Sequence, residues 1–310
     1  MSTVVIINPQ AGGGAAHSKW RKVAAQLRNA IGPFEEKPTQ SRKDAIGITR
    51  KAIENGASRI IVFGGDGTIS EVANGILGSE DPTCLLGVLP FGTGNDFCRS
   101  LGIGTKLAKA LDVISRGRVR TVDAGEVKFV GTDGQVQKRR FINVASCGLS
   151  PVVNRLVDSH GPWLGKRWNG RLCYLLATLI AKSSYKPADV RITTDTGTGQ
   201  TVRSLAVILA NGRYFGGGIQ IARPANLDDG KLYSVIVRPI GFAKLIANIH
   251  RFYGFGGGPF AMNEIDGVHF EQIRLESTDD SLVQIELDGE VVGRLPATIR
   301  VLPKCLNVIA

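Results

Sequence analysis

Three times in its first third, this chain runs a short apolar stretch into a glycine cluster and then into a helical pattern. Val4-Val5-Ile6-Ile7 stops at Asn8-Pro9 and Gly12-Gly13-Gly14. Ile60-Ile61-Val62-Phe63 stops at Gly64-Gly65-Asp66-Gly67-Thr68, and Leu85 to Leu89 stops before Gly92-Thr93-Gly94-Asn95-Asp96. The helices between are legible as well. Trp20, Val23, Ala24, Leu27 and Ile31 recur on one helical face, a second helix spans Asp44 to Asn55, and Leu107, Ala110, Leu111 and Ile114 mark another. Thr68 and Glu71 have the spacing of a capping box. This order predicts an α/β domain with a mostly parallel sheet and helices on both faces. Such sheets bind ligands where strands give way to helices, so the three glycine turns are expected along one edge.

After about Asp123 the pattern changes to alternation. Glu126 to Val130, Arg139 to Val144, Val190 to Thr194, Leu205 to Leu209, Leu232 to Val237, Ile273 to Leu275, Val283 to Leu287 and Ile299 to Leu302 read as strands. Turn residues such as Asp133-Gly134 and Asp229-Gly230 separate them. One apolar helical segment, Arg171 to Ala181, interrupts the series. The expectation is an all-β sandwich domain over 125–298 after an α/β domain over 1–124, with the strand 299–310 packing back on the first.

Composition narrows the partners. The 310 residues are 43% hydrophobic and 21% charged, as in a folded protein of two domains. A net charge of +11 draws polyanions: nucleotide phosphates, anionic lipid or nucleic acid. No nucleic-acid-binding module is recognisable, so nucleic acid is not expected as a partner. The five scattered cysteines form no C-x-x-C pair and read as buried thiols of a reducing compartment. The apolar run Leu172 to Ala181 is short of the roughly 18 residues of a spanning helix, and no signal peptide is legible. A cytoplasmic protein is expected. The four histidines are too far apart to suggest a metal cluster.

Glycine-rich turns that open helices present backbone N–H groups and the positive end of the helix dipole to phosphate. The familiar nucleotide signatures are absent. Gly161 to Arg167 lacks the spacing and hydroxyl of a Walker A loop, and Gly12-x-Gly14 is followed by His17 where a dinucleotide fingerprint needs a third glycine. Asp66 within a phosphate-binding turn makes sense if a cation shares the site, and Mg²⁺ with ATP fits.

Together Asn8-Pro9 with Gly12-Gly13, Gly64 to Thr68, and Gly92 to Phe97 resemble the diacylglycerol kinase catalytic-domain family, in particular its soluble bacterial lipid kinases. Asn211 to Gly218, Ala225 to Gly230 and Leu287-Asp288-Gly289-Glu290 continue the resemblance in family order. It implies a phosphofructokinase-like N-terminal domain, a C-terminal β-sandwich, and ATP- and Mg²⁺-dependent phosphorylation of a membrane-lipid hydroxyl. Carried over residue by residue, ATP is expected on Asn8, Pro9, Gly12, Thr39, Gly64, Gly65, Asp66, Gly67, Thr68, Ser70, Glu71, Gly92, Thr93 and Asn95. Asp288 and Glu290 match the place of the catalytic base, with the choice between them open. Asp229, helped by carbonyls of Asn226 and Lys231, matches a structural Mg²⁺ site, and Asp66, Asp96 and Asp123 match positions linked to the catalytic metal. Lipid contacts are expected between Asn154 and Tyr185.

The partners so implied are ATP, a lipid substrate at the inner membrane face reached by peripheral contact, and a second copy of the chain as a homodimer. Trp163, Trp168 and Tyr174 beside Lys166, Arg167 and Arg171 suit an interfacial face and equally a basic helix packed by its apolar side. The competing readings are a kinase of a soluble metabolite and a nucleotide-sensing membrane adaptor.

Overall fold

Apolar, β-branched runs fit the pleat of a sheet buried on both faces, and the glycines that follow end them. In the computed structural model this produces, in order, β1 (Thr3–Ile7), α1 (Ala15–Ile31), β2 (Glu35–Pro38), α2 (Asp44–Glu54), β3 (Arg59–Gly64), α3 (Asp66–Leu77), β4 (Leu85–Pro90), α4 (Asp96–Leu101), α5 (Leu107–Arg116) and β5 (Val119–Gly131). The structure describes all residues except 1, 165–169, 196, 198, 254–257 and 280, and describes only the backbone of 160–164 and 170–171. The chain divides into two compact units, residues 1–123 with 304–310, and residues 124–303.

In the first unit β2, β1, β3 and β4 lie side by side and parallel, Val5 opposite Ile61 and Ile61 opposite Gly87. Val308, near the end of the chain, pairs in parallel with Leu86. Val5, Ile7, Ile61, Phe63 and Leu89 meet Val23 and Leu27 of α1 and Ala110 and Ile114 of α5 in one core. On α1 the periodic residues Val23, Ala24 and Leu27 are fully buried, while Trp20 and Ile31 pack at its margin. One expectation fails. Thr68 is not a helix cap, because α3 begins two residues earlier at Asp66, with Gly65 in the cap position. Thr68 instead accepts a hydrogen bond from Asn8 Nδ2 at 2.8 Å, and Glu71 accepts the Lys43 N–H. Both side chains reach to other segments rather than to their own helix.

The second unit contains β6 (Val136–Phe141), β7 (Val144–Gly148), α6 (Leu149–Leu164), α7 (Gly170–Ser184), β8 (Ala188–Thr194), β9 (Gln200–Ser204), β10 (Ala206–Ala210), β11 (Leu232–Val237), α8 (Phe242–Ala247), β12 (Ile265–Phe270), β13 (Gln272–Ser277) and β14 (Gln284–Leu287). The last strand, β15 (Glu290–Ile309), starts here and ends in the first unit. Strands β12, β11, β10, β7, β14 and β15 lie adjacent in that order, and β13, β8 and β9 continue from β15. The pairings are antiparallel and make a β-sandwich. Its inner core includes Phe129, Phe141, Cys147, Val207, Ile273, Ile285, Leu287 and Ile299. A second core lies on the other face, where Val144, Ile208 and Val235 meet Leu149 and Val153 of α6 and Tyr174, Ala177 and Ala181 of α7. Cys84 and Cys147 are buried thiols, pushed up by burial to about 11 and about 12 respectively, so neither is a thiolate at neutral pH.

Candidate active site

The three glycine turns of the first unit interlock. A Cβ on Gly92 would stand 2.6 Å from Cα of Gly65, and one on Gly12 would stand 2.7 Å from the Phe91 ring. Gly12 also has φ +60°, a region that side chains resist. Asn8 Nδ2 ties the first turn to Thr68 of the second. Asn95 closes the third by accepting the Gly92 N–H at 3.0 Å and donating to the Gly92 carbonyl at 2.9 Å. Asp66 accepts the Phe97 N–H at 3.3 Å, linking second and third. Asn8, Gly12, Gly64, Gly65, Asp66, Thr68, Gly92 and Asn95 are therefore gathered at one set of strand ends.

The inward atoms of these turns touch one another, while their outward side is open. Cβ atoms built on Gly13, Gly14 and Gly67 would meet nothing, and Thr93 is exposed. The helix α3 begins at the second turn, and the first N–H groups of a helix have no intrahelical acceptors. This is the arrangement that receives phosphate. Thr39 follows β2, its N–H bonded to the Ile7 carbonyl at the end of the neighbouring β1. Pro9 lies in the first turn, and Ser70 and Glu71 lie in the second turn of α3.

Two carboxylates flank Gly94. A Cβ there would stand 2.9 Å from Asp66 Oδ2 and 3.4 Å from Asp96 Oδ2. Arg99 lies 3.6 Å from Asp96 and donates to the Gly94 carbonyl. Hard carboxylate oxygens beside phosphate-binding N–H groups suit Mg²⁺. Asp123 is elsewhere in the same unit, fully buried, with Oδ1 accepting the Lys304 N–H at 2.7 Å.

In the second unit Asp288 and Gly289 form the two-residue turn between β14 and β15, with φ of 47° and 90°. The Asp288 carboxylate is engaged by backbone: Oδ2 accepts the Ile142 N–H, and Oδ1 accepts those of Asn143 and Val144, each at 3.0 Å. Three N–H groups on one carboxylate make it an anchor for the start of β7. Glu290 faces outward instead, 45% exposed, with Arg139 at 3.1 Å. Asp229 is exposed, and its Oδ1 accepts the Lys231 N–H in a tight turn that contains Gly230. Asn226 lies three residues before it. Among the described residues no three or more His, Cys, Asp and Glu side chains stand together as a metal cluster. One carboxylate with carbonyls and water still fits Mg²⁺, which keeps several waters.

Sequence reasoning missed two features. One is an apolar cavity of about 100 Å³ between α6, α7, α8 and the face of β10 and β11, lined by Val153, Tyr174, Leu179, Ile208, Phe215 and Phe252 among others. Tyr174, for which the sequence leaves both an interfacial face and a packed helix face open, is buried there with its ring edge-on to Phe215, on the packed face of α7. Lys166, Arg167 and Trp168 lie outside the described residues, as do the side chains of Trp163 and Arg171. The other is Glu286, 2% exposed, which accepts hydrogen bonds from Ser146 Oγ and Asn154 Nδ2.

Comparison with known proteins covers nearly the whole chain. Residues 2–127 match the diacylglycerol kinase catalytic domain, and residues 143–310 match the YegS C-terminal NAD kinase beta sandwich-like domain. A diacylglycerol kinase of Mycobacterium tuberculosis (strain ATCC 25618 / H37Rv) is 29% identical over 307 residues, covering 98% of this chain and 93% of its own. A probable lipid kinase YegS-like protein of Chromohalobacter salexigens is 32% identical over 219 residues, 70% of this chain and 66% of its own. The crystal structure of a diacylglycerol kinase from Bacillus anthracis str. Sterne superposes with a TM-score of 0.72 at 24% identity, covering 99% and 96% of the two chains, and supports the same fold.

Proposed function

This chain belongs to the diacylglycerol kinase catalytic-domain family, and from that premise we propose that it transfers the γ-phosphoryl group of ATP, with Mg²⁺, to a hydroxyl of a membrane lipid. The interlocked turns of the first unit hold the triphosphate through backbone N–H groups and the start of α3. Phosphoryl transfer needs little else from the protein than position and charge. Asp66 and Asp96 would hold a catalytic Mg²⁺, and Asp229 with the carbonyls of Asn226 and Lys231 would hold a second, structural one; Asp123, buried and bonded to the Lys304 N–H, would act on the first only from a distance. The chemistry that Mg²⁺ would supply at these carboxylates is to offset the charge that develops in transfer.

Glu290 is the base in this reading. Its carboxylate is accessible, whereas both oxygens of Asp288 are committed to backbone N–H groups. Asp288 sets the turn that presents Glu290. A base must come within hydrogen-bond reach of the hydroxyl it deprotonates.

The observation that favours a lipid acceptor is the cavity. At about 100 Å³ it is smaller than the roughly 300–1,000 Å³ of a pocket enclosing a whole drug-sized ligand. It has room for a stretch of hydrocarbon. A sugar or nucleotide in that lining, where only Ser150, Tyr174, Thr178 and Tyr253 carry hydroxyls among apolar side chains, would leave most of its polar groups without partners. Three of its walls come from α6, α7 and the segment after β11; the α7 wall, Tyr174, Leu175, Thr178 and Leu179, lies within the Asn154–Tyr185 region expected to contact lipid, and the α6 wall, Leu149, Ser150 and Val153, lies just before it. Among the described residues no helix is long and apolar enough to cross a membrane. In this reading the acceptor is reached by peripheral contact at the cytoplasmic face, supported by the chain's net positive charge, which favours anionic lipid.

The test is a panel of acceptors, lipid and water-soluble, incubated with γ-labelled ATP and Mg²⁺ and resolved by mass. Label in a lipid phosphate supports the reading. Label only in soluble acceptors supports the metabolite kinase, and ATP binding without any transfer supports the adaptor.

A further inference from the structure

Glu286 occupies a place that the chemistry above does not use. Strand β14 has a neighbour on each side, β7 and β15, so its side chains point either into the sandwich core or towards the helices. Ile285 and Leu287 take the core side. Glu286 takes the other, level with Ser146 of β7, which is itself level with Ile208 of β10. Ile208 is a wall of the apolar cavity. On this face Ser146 is fully buried and its hydroxyl donates to one oxygen of Glu286, while Asn154 Nδ2 of α6 donates to the other. Asn154 stands next to Val153 and one turn beyond Ser150, both of which line the cavity. Two residues after Glu286 comes Asp288, which holds the start of β7 and the turn leading to Glu290.

We infer that Glu286 is a positioning residue, tying α6, one wall of the acceptor cavity, to the strand that delivers the Asp288–Gly289–Glu290 turn. The inference rests on the lipid-kinase reading and extends it to the alignment of the acceptor. An acceptor chain seated against α6 is thereby kept in fixed register with the carboxylate that takes its proton. Small misplacements of a reacting group are costly in rate and affinity, so a tie of this kind repays a buried acid.

The tie depends on the charge of Glu286. Burial first, then Asp288 and Asp158, push its carboxyl up to about 8, against the opposing Ser146 hydroxyl. Besides the Ser146 and Asn154 donors, the groups that act on it are acids: Asp288, in the turn that follows its strand, and Asp158 of α6; the Cys147 thiol of β7 lies on the core side of the sheet and stays neutral well above pH 8. Val291 lies opposite on β15, and Arg155 of α6 is exposed. Below pH 8 Glu286 is neutral. Above it, a buried charge appears beside two carboxylates, and α6 is released from β14.

Two measurements on the full chain test this. The first is steady-state kinetics on mixed micelles at about pH 6.5 and about pH 9 for wild type, Glu286→Gln and Asn154→Ala. Alanine suits the helix and leaves a half-buried site, so the second variant keeps its fold. Wild type is expected to show an acceptor KM that rises about tenfold between the two pH values, while the KM for ATP stays level. Glu286→Gln should match wild type at the lower pH and lose the rise. Asn154→Ala should show the raised acceptor KM at both. A Gln variant with the wild-type pH profile, or an Asn154→Ala acceptor KM equal to wild type, overturns the inference.

The second measurement needs no acceptor: amide hydrogen exchange of residues 149–159, corrected for the intrinsic effect of pH. Loss of protection at the higher pH in wild type but not in Glu286→Gln is expected, and equal responses overturn the inference. Should wild type phosphorylate no lipid while exchange behaves as expected, the lipid reading falls and the tie between α6 and β14 stands.

Discussion

Three acids within five residues of one hairpin have three different environments, and each predicts a different phenotype. Glu290 is solvent-facing, so Glu290→Gln should lower kcat by roughly 10²–10⁴ and leave the melting temperature near that of wild type. Asp288 is an anchor, and Asp288→Ala strips the acceptor from three N–H groups. At about 1.5–3 kcal/mol for a bond to a charged group, its loss should cost at least about 3 kcal/mol of stability, measured by denaturant unfolding. Equal stability of the two variants would contradict this division of roles. Glu286 predicts a pH effect. Its folded value of about 8 lies above the 4.5 of an ordinary glutamate. It therefore contributes stability that is fully present below about pH 4.5 and is lost as pH rises to about 8. Stability of wild type relative to Glu286→Gln should fall across that window, by up to about 1.4 kcal/mol per pH unit, and a flat difference would refute it. Asp288 and Glu290 were legible in the sequence through their motif. Glu286 was not, because Gln284-Ile285-Glu286-Leu287 reads as a strand with one wet face. Only the pairing of β14 on both edges, and α6 above it, buries that face.

At the scale of elements, the glycine turns work as a set. Gly92→Ala places a methyl group 2.6 Å from the Gly65 backbone, which cannot swing aside as a side chain can. Overpacking of this kind costs about 1–3 kcal/mol and should separate the second and third turns. The KM for ATP is expected to rise at least about tenfold. Gly67→Ala, whose Cβ meets nothing, should fold as stably as wild type. A Gly92→Ala enzyme with unchanged KM for ATP would argue that the turns do not act together. These elements were readable because each turn stands between a β-branched run and an amphipathic helix. The exact start of α3 was not, since Thr68 and Glu71 have capping spacing but spend their side chains on Asn8 and Lys43. Helix α6 escaped notice because Pro151 and Gly161-Pro162 look like breakers, although Pro151 is tolerated in the first turn. Strand β12 carries Asp266-Gly267 in its middle, a pair that reads as a turn, yet it pairs along its length with β11.

For the molecule as a whole, the change from helical periodicity to alternation near residue 123 told the fold class, an α/β layer followed by a sandwich. What it did not tell was the apolar cavity, because its walls come from helices and strands that only the fold brings together, from Leu149 to Ile265. The central claim is that ATP and a lipid hydroxyl are the two reactants, joined one to one. The direct measurement is the stoichiometry of ADP released to lipid phosphate formed, followed in mixed micelles with Mg²⁺ and ATP. A ratio near one, with ADP release falling away when the lipid is omitted, is the predicted result. ADP release that continues without lipid, matched by inorganic phosphate or by a water-soluble product, would contradict it.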